Sequence, residues 1–134
     1  NSLSFMLENA ANYQTHYTPN VLGIYLLYRV LQDMDPIAQV DGRLRARMAV
    51  LEEAVAQSPT FDLLVDNAAT RSTTVLAVSG TEEAIAAVKK AAEKEGMQLG
   101  GGYGPLKASS FRIANFPAIT DAEFMRLVDF LKRY

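Results

Sequence analysis

Between Val21 and Leu31 the chain reads Val-Leu-Gly-Ile-Tyr-Leu-Leu-Tyr-Arg-Val-Leu, with a single charge in eleven positions. Wound into a helix, such a segment is apolar on nearly every side. It must therefore be covered on most of its surface, by its own domain or by a partner. Thr18-Pro19 stands just before it and predicts the helix start, since threonine caps orphan amides and proline at the first position loses no hydrogen bond. The helix is expected to run from about residue 18 to residue 34. Residues 1–17 show weak periodicity and read as a partly ordered lead-in, with Tyr13 and Tyr17 as anchors.

Asp35-Pro36 restarts the chain as a second helix. Ile37, Val40, Leu44, Met48, Leu51 and Val55 recur every three or four residues, and Ser58-Pro59 ends it. Residues 61–65 and 73–79 read as strands, the latter rich in β-branched side chains. Thr81 followed by Glu82 and Glu83 opens a third helix, and Gly96 closes it. Residues 97–100 and 110–116 are further strands. Thr120-Asp121-Ala122-Glu123 is a capping box, and Phe124, Leu127, Val128 and Leu131 form the apolar face of a last helix. Two helices followed by mixed strands and helices predict an α+β fold, with a small sheet and helices packed on one face.

Composition removes several function classes. Thirteen Lys and Arg are scattered among fifteen Asp and Glu, so no basic stripe is present for a nucleic acid. With no cysteine and one histidine, His16, the chain holds neither a thiol nucleophile nor a zinc–thiolate or polyhistidine metal site. No apolar run is long enough to cross a bilayer, and the expected location is cytoplasmic. The neighbouring acids Glu52-Glu53 and Glu82-Glu83 point about 100° apart on a helix, which makes them solvated faces and not a catalytic dyad.

The chemistry-bearing candidate is Gly100-Gly101-Gly102-Tyr103-Gly104-Pro105-Leu106-Lys107, followed by Phe111-Arg112-Ile113-Ala114-Asn115-Phe116-Pro117-Ala118. In a strand, Phe111 and Ile113 share one face and Arg112 takes the other. A guanidinium grips a carboxylate with two parallel hydrogen bonds, the glycines let backbone approach a ligand, and Lys107 adds a second positive charge. The residues alone leave a second reading open, in which Arg112 pairs with a surface acid and the glycines make a turn.

This block resembles the C-terminal signature of phosphoserine aminotransferases, members of the class V (fold type I) pyridoxal-phosphate-dependent aminotransferases. His16-Tyr17-Thr18-Pro19-Asn20 is similar to the Asn-Thr-Pro-Pro segment that leads into their dimer-interface helix. Arg71-Ser72 resembles an Arg-Ser element before a strand in the same family, with a structural role.

The resemblance implies the fold of the C-terminal small domain, in residues 18–134, with 18–34 as an interface helix of a homodimer. It also implies that Arg112 binds the substrate carboxylate of an amino acid or 2-oxo acid, and Lys107 at the loop's exit is expected to join it in binding the substrate. Thr18 and, at the family's Asn position, Tyr17 would contact the phosphate of the neighbour's pyridoxal phosphate. Gly104, Pro105 and Leu106 stand where one branch of the family has Gly-His-Arg, an element that helps bind the substrate phosphate.

The cofactor-linking lysine of the family lies upstream of the Thr-Pro segment, whereas Lys89, Lys90, Lys94, Lys107 and Lys132 all follow it. The chain alone is therefore expected not to transaminate. The implied function is that of one domain of a phosphoserine:2-oxoglutarate aminotransferase-like enzyme of serine biosynthesis. The alternative is a free-standing ferredoxin-like module that binds an amino acid as an effector without catalysis. A third reading is a dimerisation domain whose loop has no ligand.

Overall fold

The computed structural model describes residues 2–134. The chain divides into two compact units, one ending at Pro36 and one running from Ile37 to Tyr134. Among the described residues, no helix is long and apolar enough to cross a membrane.

The first unit contains helix α1 (Leu3–Ala11) and helix α2 (Val21–Asp33). Helix α1 departs from the expected lead-in. Its start is set by Ser2, whose Oγ accepts from the Phe5 amide. Its end is set by Tyr13, which turns left-handed at φ 56° while the Gln14 amide returns to the Asn9 carbonyl. Leu3, Met6, Leu7 and Ala10 do fall at helical spacing, over a run of only nine residues, and Leu3, Met6 and Leu7 are exposed.

The cap of α2 also departs from expectation. Asn20, not Thr18, is the N-cap: its Oδ1 accepts from the Gly23 amide at 2.9 Å. The helix thus starts two residues later than Thr18-Pro19 suggests, on an equally good capping side chain, with the Ile24 amide on the Asn20 carbonyl. Gly23 leaves room for that arrangement, because a Cβ there would sit 2.8 Å from the Asn20 amide nitrogen. No residue of α2 is buried; Leu22, Ile24, Leu27, Val30 and Leu31 are all exposed.

The second unit begins with helix α3 (Ile37–Ala56), which buries Val40, Leu44, Met48, Leu51 and Val55 as its spacing predicts. Ile37, the first residue of that stripe, is exposed. Strands β1 (Asp62–Leu63), β2 (Val75–Ser79), β3 (Gly100–Gly101) and β4 (Ser110–Ala114) form an antiparallel sheet in the order β1-β2-β4-β3. Helix α4 (Glu82–Lys94) connects β2 to β3, and α5 (Asp121–Leu131) follows β4.

Caps explain the limits of these elements. Thr81 Oγ1 accepts from the Ala84 amide at the start of α4. At its end Gly96 is left-handed, and the Met97 amide bonds the Ala92 carbonyl. Met97 therefore belongs to the helix-closing turn, and the strand expected from residue 97 starts only at Gly100. Thr120 and Glu123 form the expected capping box of α5. Strand β4 ends at Ala114, and Asn115 continues the alternation inward, fully buried, with its amide on the Thr74 carbonyl.

Alternation along the central strands builds the core. Leu76, Val78, Phe111 and Ile113 are buried and join Met48, Leu51 and Val55 of α3, Ile85, Val88 and Ala92 of α4, and Phe124, Val128 and Leu131 of α5. The intervening positions Val75, Ala77, Ser79, Arg112 and Ala114 face the other way and are partly or fully exposed. The helices are thus packed on one face of the sheet, and the opposite face carries Arg112.

Two polar side chains stitch this unit together. Arg47 of α3, buried among apolar groups, donates to the Ile119 carbonyl and to the Asp121 carboxylate, with its guanidinium over the Phe124 ring. Arg71 donates to the Val65 and Asp66 carbonyls and pairs with Glu52, which ties the loop after β1 to α3.

Candidate functional site

Arg112 sits at the centre of β4, opposite Ala77 of β2 on one side and Gly100 of β3 on the other. Both neighbours are small, so the guanidinium has room above the sheet. The core side chains Phe111 and Ile113 on either side of it are 0% and 2% exposed, which fixes the strand and therefore the direction of Arg112. Its Nε donates to the Gly101 carbonyl at 2.8 Å. Its Cζ lies 4.3 Å from the centroid of the Tyr103 ring. Among the described residues, no carboxylate pairs with it, so the surface ion pair left open by the sequence is not formed.

The glycine loop folds over the same face. Ser110 Oγ donates to the Leu106 carbonyl at 2.6 Å, which buries Ser110 beneath the loop. Gly102 is held so closely that a Cβ would stand 2.1 Å from Ser110 Oγ and 2.5 Å from the Leu106 oxygen. Gly104 has a positive φ of 53°, and a single 3-10 turn (Gly104–Leu106) returns the chain toward β4. These glycines allow a compact loop with fixed contacts.

Beside Arg112 the surface forms a cleft of about 370 Å³, bordered by Val75, Leu99, Gly100, Ala114 and Phe116. It offers one cation and a small apolar lining, which suits an anion attached to a short carbon chain. A second cleft of about 400 Å³, between α5 and residues 96–99, is lined by Met97, Leu99, Ile119 and Leu127. Its charged groups are already engaged: Glu123 in the capping box, Arg126 on the Glu95 carbonyl. The Arg112 cleft is the better candidate.

The other expected site residues are distributed as follows. Lys107 is exposed at the loop's exit, its backbone amide on the Gly104 carbonyl and its side chain without a partner among the described residues. Thr18 and Tyr17 lie in the first unit, exposed, in the loop that precedes α2. His16 is a loop residue packed edge-on between the rings of Phe5 and Tyr17, at 4.2 and 4.8 Å. Asn20 uses the Gly23 amide for its own cap, so one of the amides expected at the helix end is no longer free for an anion.

Tyr103 is the site residue that sequence reasoning missed. Its signal was its place between glycines nine residues before Arg112, too generic to assign a contact. Among the described residues, no group of three His, Cys, Asp or Glu side chains is placed to hold a metal.

No family model and no curated protein matches the chain. Solved structures do. Phosphoserine aminotransferase SerC of Cytophaga hutchinsonii superposes with a TM-score of 0.85 at 32% identity, over 98% of this chain and 37% of that one. An aspartate aminotransferase of subgroup IV from Thermus thermophilus superposes with a TM-score of 0.77 at 20% identity, again over 98% and 37%, and bears on the fold alone. The chain thus spans a little over a third of the length of each of these neighbours. Over nearly its whole length, then, the chain is similar to one domain of a phosphoserine aminotransferase, and it has the α+β fold of the aminotransferase small domain.

Proposed function

We propose that this domain serves a pyridoxal-phosphate-dependent transaminase by holding the carboxylate of the amino acid or 2-oxo acid on Arg112. The observation that carries this reading is the environment of Arg112: a cation on an open sheet face, beside a cleft, with no carboxylate of its own. Arginine without a protein anion is matched to an external one, and its planar fork fits a carboxylate with two charge-assisted bonds. Lys107 adds positive charge at the loop's exit.

The cofactor supplies the electron sink for amino transfer, and this domain would contribute only to its phosphate. Two hydroxyls suit that task, those of Thr18 and Tyr17, because both are exposed and neither is spent on a protein hydrogen bond. The contact would run across a homodimer, from this domain to the neighbour's cofactor. The exposed apolar side chains of α2 are consistent with a helix that is covered in such an assembly and argue against a free-standing regulatory module. The lysine that links the cofactor, and the ring pocket, would come from the rest of the enzyme, so the domain by itself would be inactive.

The reaction would be amino transfer between glutamate and a 2-oxo acid such as 3-phosphohydroxypyruvate, in cytoplasmic serine biosynthesis. Gly104, Pro105 and Leu106 bring no charge toward a substrate phosphate, which leaves Lys107 as the cation nearest in sequence to the loop. The test is Arg112→Ala in the enzyme that contains this domain. Loss of a charge-assisted pair, about 1.5–3 kcal/mol, lowers kcat/KM for the amino donor roughly 10- to 100-fold. An unchanged kcat/KM removes Arg112 from the site.

A further inference from the structure

A guanidinium has five N–H donors, arranged as two forks: Nη1 with Nη2 at its end, and Nε with Nη2 along its side. In Arg112 the Nε–H is committed to the Gly101 carbonyl. Among the described residues, Nη1 and Nη2 have no protein partner. The Tyr103 ring covers one face of the guanidinium. Only the end fork is left whole.

Tyr103 is 73% exposed and contributes nothing to the core. Its hydroxyl makes no hydrogen bond to the protein. Its placement instead comes from its neighbours: Gly102 pressed against Ser110 and Leu106, and Gly104 in a left-handed turn. An aromatic ring held beside a cation by such a fixed loop restricts the rotamers of the arginine, and a ligand then pays less for ordering it.

We propose that Tyr103 is a positioning residue for Arg112, and that together with Gly101 it selects the Nη1/Nη2 fork as the carboxylate-binding edge. The carboxylate arrives along the axis of the arginine side chain and not beside it. This inference rests on the reading of Arg112 as a carboxylate holder and adds which edge is used and what holds it there.

The test uses the enzyme that contains this domain, labelled with nitrogen-15 arginine and titrated with L-glutamate. The Arg112 side-chain signals are assigned by their loss in Arg112→Lys. Addition of glutamate is expected to shift the Nη signals and leave the Nε–H signal in its hydrogen-bonded position. Tyr103→Phe, which keeps the ring, binds as the parent does. Tyr103→Leu raises Kd roughly 2- to 5-fold with an unchanged melting temperature, since the ring is outside the core. Equal affinity in Tyr103→Leu, or an Nε–H shift as large as that of Nη, overturns the proposal while Arg112 remains a carboxylate ligand. No shift at any Arg112 signal in the whole enzyme overturns both the proposal and the reading beneath it.

Discussion

Asn115 reaches from the end of β4 to the middle of α3, where its Nδ2 donates to the Leu44 carbonyl at 2.8 Å. The same nitrogen donates to the Thr73 carbonyl at 3.0 Å, and the Asn115 backbone amide bonds the Thr74 carbonyl. Helix, incoming strand and outgoing strand meet on one fully buried side chain, three residues after Arg112.

Replacement of Asn115 by aspartate is expected to be worse than replacement by alanine. Alanine leaves two buried carbonyls without this donor, at about 1–3 kcal/mol. Aspartate is nearly isosteric but presents acceptors to acceptors, and it either buries a charge or takes up a proton. Chemical denaturation of both variants at pH 7 gives the order, and an aspartate variant as stable as the alanine one contradicts it.

Gly102 and Gly101 are neighbours with opposite tolerance. A methyl group at Gly102 meets Ser110 Oγ and the Leu106 carbonyl, so Gly102→Ala displaces the loop and costs about 1–3 kcal/mol. A methyl group at Gly101 meets nothing within 4 Å, and Gly101→Ala is expected to be near neutral. Paired melting curves check the contrast.

Acid sensitivity is expected to centre on the start of α5. The hydrogen bond and the charge of Arg47 hold the Asp121 carboxyl below the ordinary aspartate range. The Thr120 hydroxyl and amide hold Glu123 low in the same way. A carboxyl depressed in the folded state is protonated first in the unfolded chain. Its contribution is present above the unfolded value, about 4, and is lost as pH falls through the lower folded value. Asp121→Asn therefore flattens the fall of melting temperature below pH 4, and an unaltered acid limb rules this out.

Thr18 and Asn20 separate capping from ligand contact. Asn20→Ala removes the cap of α2 and is expected to cost about 0.5–2 kcal/mol, measured as lost helix content or a lower melting point. Thr18→Ala is expected to leave both unchanged, because its hydroxyl has no partner in the chain. If it lowers cofactor affinity in the whole enzyme nonetheless, Thr18 acts on the ligand alone.

Signals carried by short-range chemistry were readable in the sequence. Thr81, Gly96 and the Thr120–Glu123 pair each act within four residues, and each marks its helix end as expected. Alternation at Phe111, Arg112 and Ile113 gave the exposed face of β4 for the same reason. Where two local signals competed, the reading failed: Thr18 and Asn20 are both good caps, and the Thr-Pro pair points to the one that the chain does not use. Helix α1 does carry helical spacing at Leu3, Met6, Leu7 and Ala10, but over only nine residues, too short a run to stand out. The Tyr103 contact depends on how three glycines fold the loop back onto β4, which spacing does not encode.

The sheet keeps its two duties on opposite sides of the same strands. Leu76, Val78, Phe111 and Ile113 answer to the core, whereas Val75 and Ala77 face the surface beside Arg112. Residues one step apart are thus free to change for unrelated reasons. A redesign of ligand preference has a ready palette at 75 and 77, where a larger or charged side chain reshapes the approach to the arginine while the hydrophobic interior is left untouched.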